Sequence, residues 1–244
     1  MLRNPAWKNN FVLFTTDVKT SVNSAKLQNS VGGELLTQAV KKTTPDLAMI
    51  QEAVPHLEKA ISIHPNYKNA HLLLGNAYNY LKKYDLSIQN YQKALRMDPN
   101  YVDAIQNMAI SYRDNKQFDK AVEQLNKAAS INPKKIDYNE NIAYTYEEAG
   151  KHYGAQNQHQ QALNAFQKAM QYAEDKGKYL YFIGLAYGNL NNQAKAIESM
   201  EQALQATDND ENKVYILQSL SGIYKTIDPA KAQQYLQQAQ SIQQ

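Results

Sequence analysis

Ala70-His71-Leu72-Leu73-Leu74-Gly75-Asn76-Ala77-Tyr78 is echoed 34 residues later by Ala104-Ile105-Gln106-Asn107-Met108-Ala109-Ile110-Ser111-Tyr112, and the pattern returns at Tyr138 to Tyr146. The same shift carries Tyr84 onto Phe118, Ser87 onto Ala121, Tyr91 onto Leu125, Ala94 onto Ala128 and Pro99 onto Pro133. A period that spans a whole unit marks stacked supersecondary elements, none of which can bury its apolar face alone. Pro65, Pro99 and Pro133 fall where a second helix must stop, because proline cannot continue the hydrogen-bond ladder. Composition agrees: 9 glycines and 7 prolines among 244 residues leave a chain of helix formers. The expected fold is all-α, an α-solenoid of helix-turn-helix units.

Within each unit the small residues carry the argument. Gly32, Gly75, Ala109, Ala143, Gly184 and Ser221 are expected in the middle of the first helices, where a minimal side chain lets the second helix approach. Ala53, Ser87, Ala121, Ala162, Ala196 and Ala232 answer them from the second helices. Tyr78, Tyr112, Tyr146, Tyr187 and Tyr224 follow about one turn later and can wedge between neighbouring units.

This order of apolar, small, aromatic, then aromatic, small, apolar, small and Pro resembles the tetratricopeptide repeat family over nearly the whole chain. It implies a right-handed α-solenoid with units at about 25–67, 68–101, 102–135, 136–176, 177–210 and 214–244 within an array spanning 23–244, the last unit incomplete or acting as a cap. Later junctions replace proline with Glu174-Asp175-Lys176-Gly177 and Thr207-Asp208-Asn209-Asp210, where glycine and Asx-type turns serve. Two units are long. The first carries about nine extra residues around Lys41 to Gln51, and the fourth about seven around Lys151 to Gln158. Split across a hairpin, seven residues lengthen each helix by about one turn; the alternative is a loop holding His152 and Tyr153.

Residues 1–22 read as a capping half-repeat, with Trp7, Phe11, Phe14 and Val18 on one helical face. The stretch from Arg3-Asn4-Pro5-Ala6-Trp7 through Leu13-Phe14-Thr15-Thr16-Asp17-Val18 to Asn23-Ser24-Ala25-Lys26 resembles the segment that joins membrane part to repeats in the transmembrane-and-tetratricopeptide proteins linked to O-mannosylation, although Val22 stands where a proline is usual. That resemblance implies an extracytoplasmic tail tethered to a membrane part upstream, with Met1 an artificial start. The compartment is otherwise open.

The formal net charge is +3 and only Arg3, Arg96 and Arg113 are arginines, too few for the guanidinium clusters of nucleic-acid recognition. Without cysteine there is no disulfide, thiolate metal site or cysteine nucleophile. His56, His64, His71, His152 and His159 show no i, i+4 pairing for zinc, and the only adjacent glycines, Gly32-Gly33, sit inside a predicted helix rather than a phosphate loop. Glu147-Glu148 and Asp208 to Glu211 do not alternate as calcium ligands must. The expectation is a non-catalytic protein without cofactor or metal.

The remaining function is binding. The leading expectation is a scaffold that takes an extended peptide or partner segment in a groove lined by first helices; the alternatives are a regulatory or substrate-recruiting tail of a membrane-bound glycosyltransferase and a self-assembling structural module. The candidate groove residues are Asn76, Asn79, Asp103, Asn107, Arg113, Asp137, Glu140, Asn141, Tyr144 and Glu147. Asn107 and Asn141 align with the asparagine ladder of the O-linked N-acetylglucosamine transferase repeats, which they resemble, and an amide can pair with a peptide unit of any sequence. Solvated surface is the other reading of both. The acidic excess favours neutral or basic partners. A clamp for acidic chaperone tails is not expected: Asn76 and Asn107 match two of its positions, but Leu72, Asp137 and Asn141 stand where the resemblance requires Lys, Lys and Arg.

Overall fold

A computed structural model describes residues 17, 21–41, 43–134 and 137–243. Trp7, Phe11, Phe14, Val18 and most of the membrane-protein resemblance lie outside them. Among the described residues twelve α-helices follow one another: α1 Ala25–Ala39, α2 Leu47–Ile63, α3 Lys68–Tyr80, α4 Tyr84–Met97, α5 Val102–Asp114, α6 Phe118–Ile131, α7 Tyr138–Ala155, α8 His159–Tyr172, α9 Lys176–Asn189, α10 Gln193–Ala206, α11 Asp210–Tyr224 and α12 Pro229–Ile242. The chain divides into two compact units, residues 1–135 and 136–244. In each, consecutive helices form antiparallel hairpins, and the second helix of one hairpin packs on the first helix of the next. The last hairpin, α11 with α12, is complete.

In the first unit the core interdigitates across hairpins: Leu72, Ile88, Tyr91, Ala94, Met108, Tyr112 and Ala121 form one buried cluster drawn from α3 to α6. Gly75 shows why its position must be small. A Cβ there would lie 2.5 Å from the Tyr91 ring, closer than any real contact. Pro55 stands inside α2, which continues through it. Its missing N–H is tolerated because Pro55 is exposed while Ile50, Ala53, Leu57 and Ala60 bury a continuous stripe on either side of it.

Four of the hairpins close with the same turn. Lys82, Lys116, Asn157 and Asn191 adopt φ of 57°, 61°, 59° and 57°, and the next residue donates its N–H back to the carbonyl of Tyr78, Tyr112, Tyr153 and Tyr187 respectively. This left-handed residue satisfies carbonyls at the helix end. Asparagine tolerates the conformation; a lysine bears a Cβ penalty of about 1 kcal/mol. Lys82→Asn with Lys116→Asn is therefore expected to stabilise the first unit by roughly 0.5 kcal/mol per site, readable as a higher urea midpoint. A lower midpoint would show that those lysines have a packing role.

The repeated turn also resets the register of the fourth hairpin. Counting seven back from the left-handed residue reaches Gly75, Ala109, Gly150 and Gly184, and it is Gly150, not Ala143, that lies hard against the second helix, at the Phe166 ring. Likewise Tyr153, not Tyr146, occupies the place of Tyr78, Tyr112 and Tyr187. The extra residues extend the start of α7, which has 18 residues against 14 for α8, so one helix is lengthened rather than both, and His152 and Tyr153 are helical. Seven residues are close to two turns. Ala143 therefore keeps the same face as Gly150 and stays buried, packing on Ala169, Ala173 and Tyr179. Helical periodicity hid the shift.

The later junctions follow the Asx pattern expected of them. Asp175 Oδ1 accepts from the backbone N–H of Gly177 and Lys178, and Asn209 Oδ1 from Asn212, capping α9 and α11.

Candidate functional site

The ten candidate residues divide between the units. Asn76, Asn79, Asp103, Asn107 and Arg113 belong to the first; Asp137, Glu140, Asn141, Tyr144 and Glu147 belong to the second.

In the first unit, helical spacing puts Asn76 and Asn79 on one face of α3 and Asn107 on the adjacent face of α5, and the three line a cleft of about 420 Å³. Asn107 Nδ2 donates to Asn76 Oδ1 at 2.8 Å, and the Tyr91 hydroxyl donates to the same oxygen at 2.7 Å. Asn76 thus spends its carbonyl and keeps its amide N–H groups; Asn107 spends one N–H and keeps its carbonyl. Beside them Asn79 Nδ2 donates to Ser111 Oγ at 2.6 Å, and Ser111 is hydrogen-bonded to Ser87 at 2.8 Å, both serines being fully buried. The amides are therefore held in fixed orientation by groups beneath them, and these bonds leave both N–H groups of Asn76, one N–H each of Asn79 and Asn107, and the carbonyls of Asn79 and Asn107 unspent.

The rim contains residues the sequence reading missed: Tyr80, Tyr84, Ile110 and Asp114 line the same cleft. Tyr80 lies four residues beyond Asn76, and Ile110 and Asp114 lie three and seven beyond Asn107, so the helical spacing rule would have found them. Burial, with Asp114 close by, pushes the Tyr84 hydroxyl above its ordinary pKa, so it stays a neutral donor. Arg113 pairs with the neighbouring Asp114 at 3.2 Å, and Asp103 is exposed at the first turn of α5.

The second unit treats its five differently. Asp137 caps α7 through the N–H of Glu140, and Asn141 Nδ2 donates to the Asp137 carbonyl of its own helix at 2.6 Å. By the turn register the counterpart of Asn107 is Glu148, so Asn107 and Asn141 are not equivalent rungs; Asn141 sits seven residues, about 10 Å of helix, further from the turn. The positions compared with a chaperone-tail clamp move with it, and Leu72 is buried in the core. Tyr144 is exposed. Glu147 is not a groove residue. At 2% exposure it accepts from Lys178 at 2.6 Å, Lys151 at 2.8 Å and the Tyr179 hydroxyl at 3.0 Å, tying α7 to α9. Burial opposes its ionisation, but the bonds from Lys151, Lys178 and Tyr179 together outweigh that and hold its pKa below the ordinary 4.5.

Among the described residues no group of three or more His, Asp or Glu side chains is placed to hold a metal ion, and no helix is long and apolar enough to cross a membrane.

Sequence models of the tetratricopeptide repeat match residues 69–101, 101–175 and 177–210, together more than half of the chain. No curated protein matches it. Among solved structures, the C-terminal part of a TPR repeat-containing protein from Cytophaga hutchinsonii is similar at a TM-score of 0.63 with 16% identity, over 94% of this chain and 88% of that one. YrrB, described as a TPR protein with an unusual peptide-binding site, gives 0.50 with 18% identity over 82% and 94%. The MamA protein gives 0.51 with 18% identity over 78% and 94%.

Proposed function

The chain belongs to the tetratricopeptide repeat family, a family of protein-interaction scaffolds, and on that premise we propose that its first unit binds an extended polypeptide in the cleft between α3 and α5. One observation carries this reading: the Asn76 carbonyl accepts from both Asn107 and Tyr91, which leaves the Asn76 amide N–H groups and the Asn107 carbonyl unspent on two residues that line the same cleft. A peptide unit presents the complementary acceptor and donor whatever its side chains. Because the amides are preset by Tyr91 and Ser111, a ligand orders little on binding. Tyr80 and Ile110, 41% and 40% exposed, offer flanking apolar contact, and because Lys82 lines the cleft as well as Asp114, which Arg113 already engages, the rim favours neutral segments.

The test is selection of 12-residue peptides from a random library on the full chain, followed by titration. Asn76→Ala with Asn107→Ala should weaken the selected peptides by about five- to thirtyfold, one lost amide pair being worth about 1 to 2 kcal/mol, with helix content unchanged. Raising the salt should leave the binding of neutral peptides nearly unchanged. Peptides that bind the double variant as tightly as the parent would rule the cleft out.

A further inference from the structure

A second cleft in the first unit shares no residue with the one above. It lies between the end of α2, the turn into α3 and the end of α4, and its lining includes Ile61, Pro65, His71, Lys93, Arg96 and Met97, with no carboxylate. Lys93 and Arg96 are exposed, three residues apart on α4, and so stand together on one face. Neither has an ion-pair partner among the described residues. The nearest carboxylate in sequence, Asp98, is engaged by Lys68 at 2.6 Å. His71, 3% exposed, braces the wall, its ring nitrogens 3.0 Å from the Pro65 carbonyl and 3.1 Å from Asn90 Oδ1.

Two further features favour an anion here. Lys59, Lys93 and Lys127 recur at the 34-residue period on the second helices α2, α4 and α6, all exposed, so positive charge continues to either side of the cleft. Among the described residues, those up to 134 include thirteen lysines and arginines against eleven carboxylates, whereas those from 137 to 243 include eight against twelve. The excess of cations is concentrated in the unit that carries the cleft, and its field draws anions toward it.

We propose that this cleft is a second binding site, one that takes the carboxylate side chains of an acidic polypeptide segment. The Arg96 guanidinium presents a planar fork suited to a carboxylate, and Lys93 adds a point charge one turn away. Ile61, Pro65 and Met97 give apolar surface for the methylene stems of glutamate. A sugar-phosphate backbone would instead need more guanidinium groups than the one present. The site is independent of the amide cleft, so the chain can hold two partners at once.

The experiment is fluorescence anisotropy of a labelled hexaglutamate peptide with the full chain. Binding that weakens about tenfold in Lys93→Ala with Arg96→Ala, falls with added salt and is unchanged in Asn76→Ala with Asn107→Ala is the expected result. That last variant separates failure here from failure of the amide cleft. Absence of hexaglutamate binding, or binding indifferent to Lys93 and Arg96, overturns the proposal. Tighter capture of a single-stranded oligonucleotide of equal charge through the same two residues would assign the cleft to nucleic acid and overturn it too. So would concentration-dependent sedimentation of the unliganded chain abolished by the pair, since the occupant would then be a second copy.

Discussion

Replacing Glu147 with alanine is expected to destabilise the second unit by about 3 kcal/mol, the lower end of the range for breaking a buried ion pair, because Lys151 and Lys178 remain partly solvated, at 49% and 42% exposure. The loss has two sources. Lys178 and the buried Tyr179 hydroxyl lose the acceptor that ties α9 to α7, and a cavity opens where the carboxylate stood. Glu147→Gln preserves shape and one acceptor, so it should cost distinctly less. The pH dependence has a fixed sign. A carboxylate whose folded pKa is depressed contributes stability above its unfolded value, and that contribution is lost as pH falls through the folded one. The parent should therefore lose urea resistance progressively below about pH 4.5, with a shallower loss in Glu147→Gln. Identical acid profiles for the two proteins would show that Glu147 is not the group responsible.

Gly150→Leu should be comparably damaging, at about 3 kcal/mol for overpacking a tight site, because even a Cβ at Gly150 collides with the Phe166 ring. The informative contrast is with alanine. In a free helix Gly→Ala gains up to about 1 kcal/mol, and Gly188 and Gly222 have open space where a Cβ would go. Gly188→Ala and Gly222→Ala should accordingly raise the melting temperature, while Gly150→Ala and Gly75→Ala lower it. A rise for Gly150→Ala would remove the close approach from the account of the fourth hairpin and return that role to Ala143.

Both experiments bear on the place where reading and structure parted. Ala143, Tyr146 and Asn141 copy the pattern of Ala109, Tyr112 and Asn107 at nearly the right interval, and a seven-residue displacement leaves each on the same helical face. The helical face a residue occupies does not separate the two registers. The left-handed turn at Asn157 does, because it fixes which tyrosine carbonyl receives the returning N–H.

What the sequence by itself determined is the class of fold and most of its packing. The 34-residue period, the small residues at helix contacts and the punctuation by proline and Asx turns are local rules, and Gly32, Gly75, Gly184, Ala53, Ser87 and Ala121 all lie where those rules put them. The chemistry of the individual polar residues was decided only in three dimensions. Asn76 and Asn107 are 31 residues apart and became a preset amide pair because α3 and α5 stack; Glu147 seemed a surface acid and became a buried tie because α9 brings Lys178 and Tyr179 to it. A side chain's periodicity reports which face it occupies, but its partner comes from another helix, and the distance between helices is set by the packing of the small residues between them.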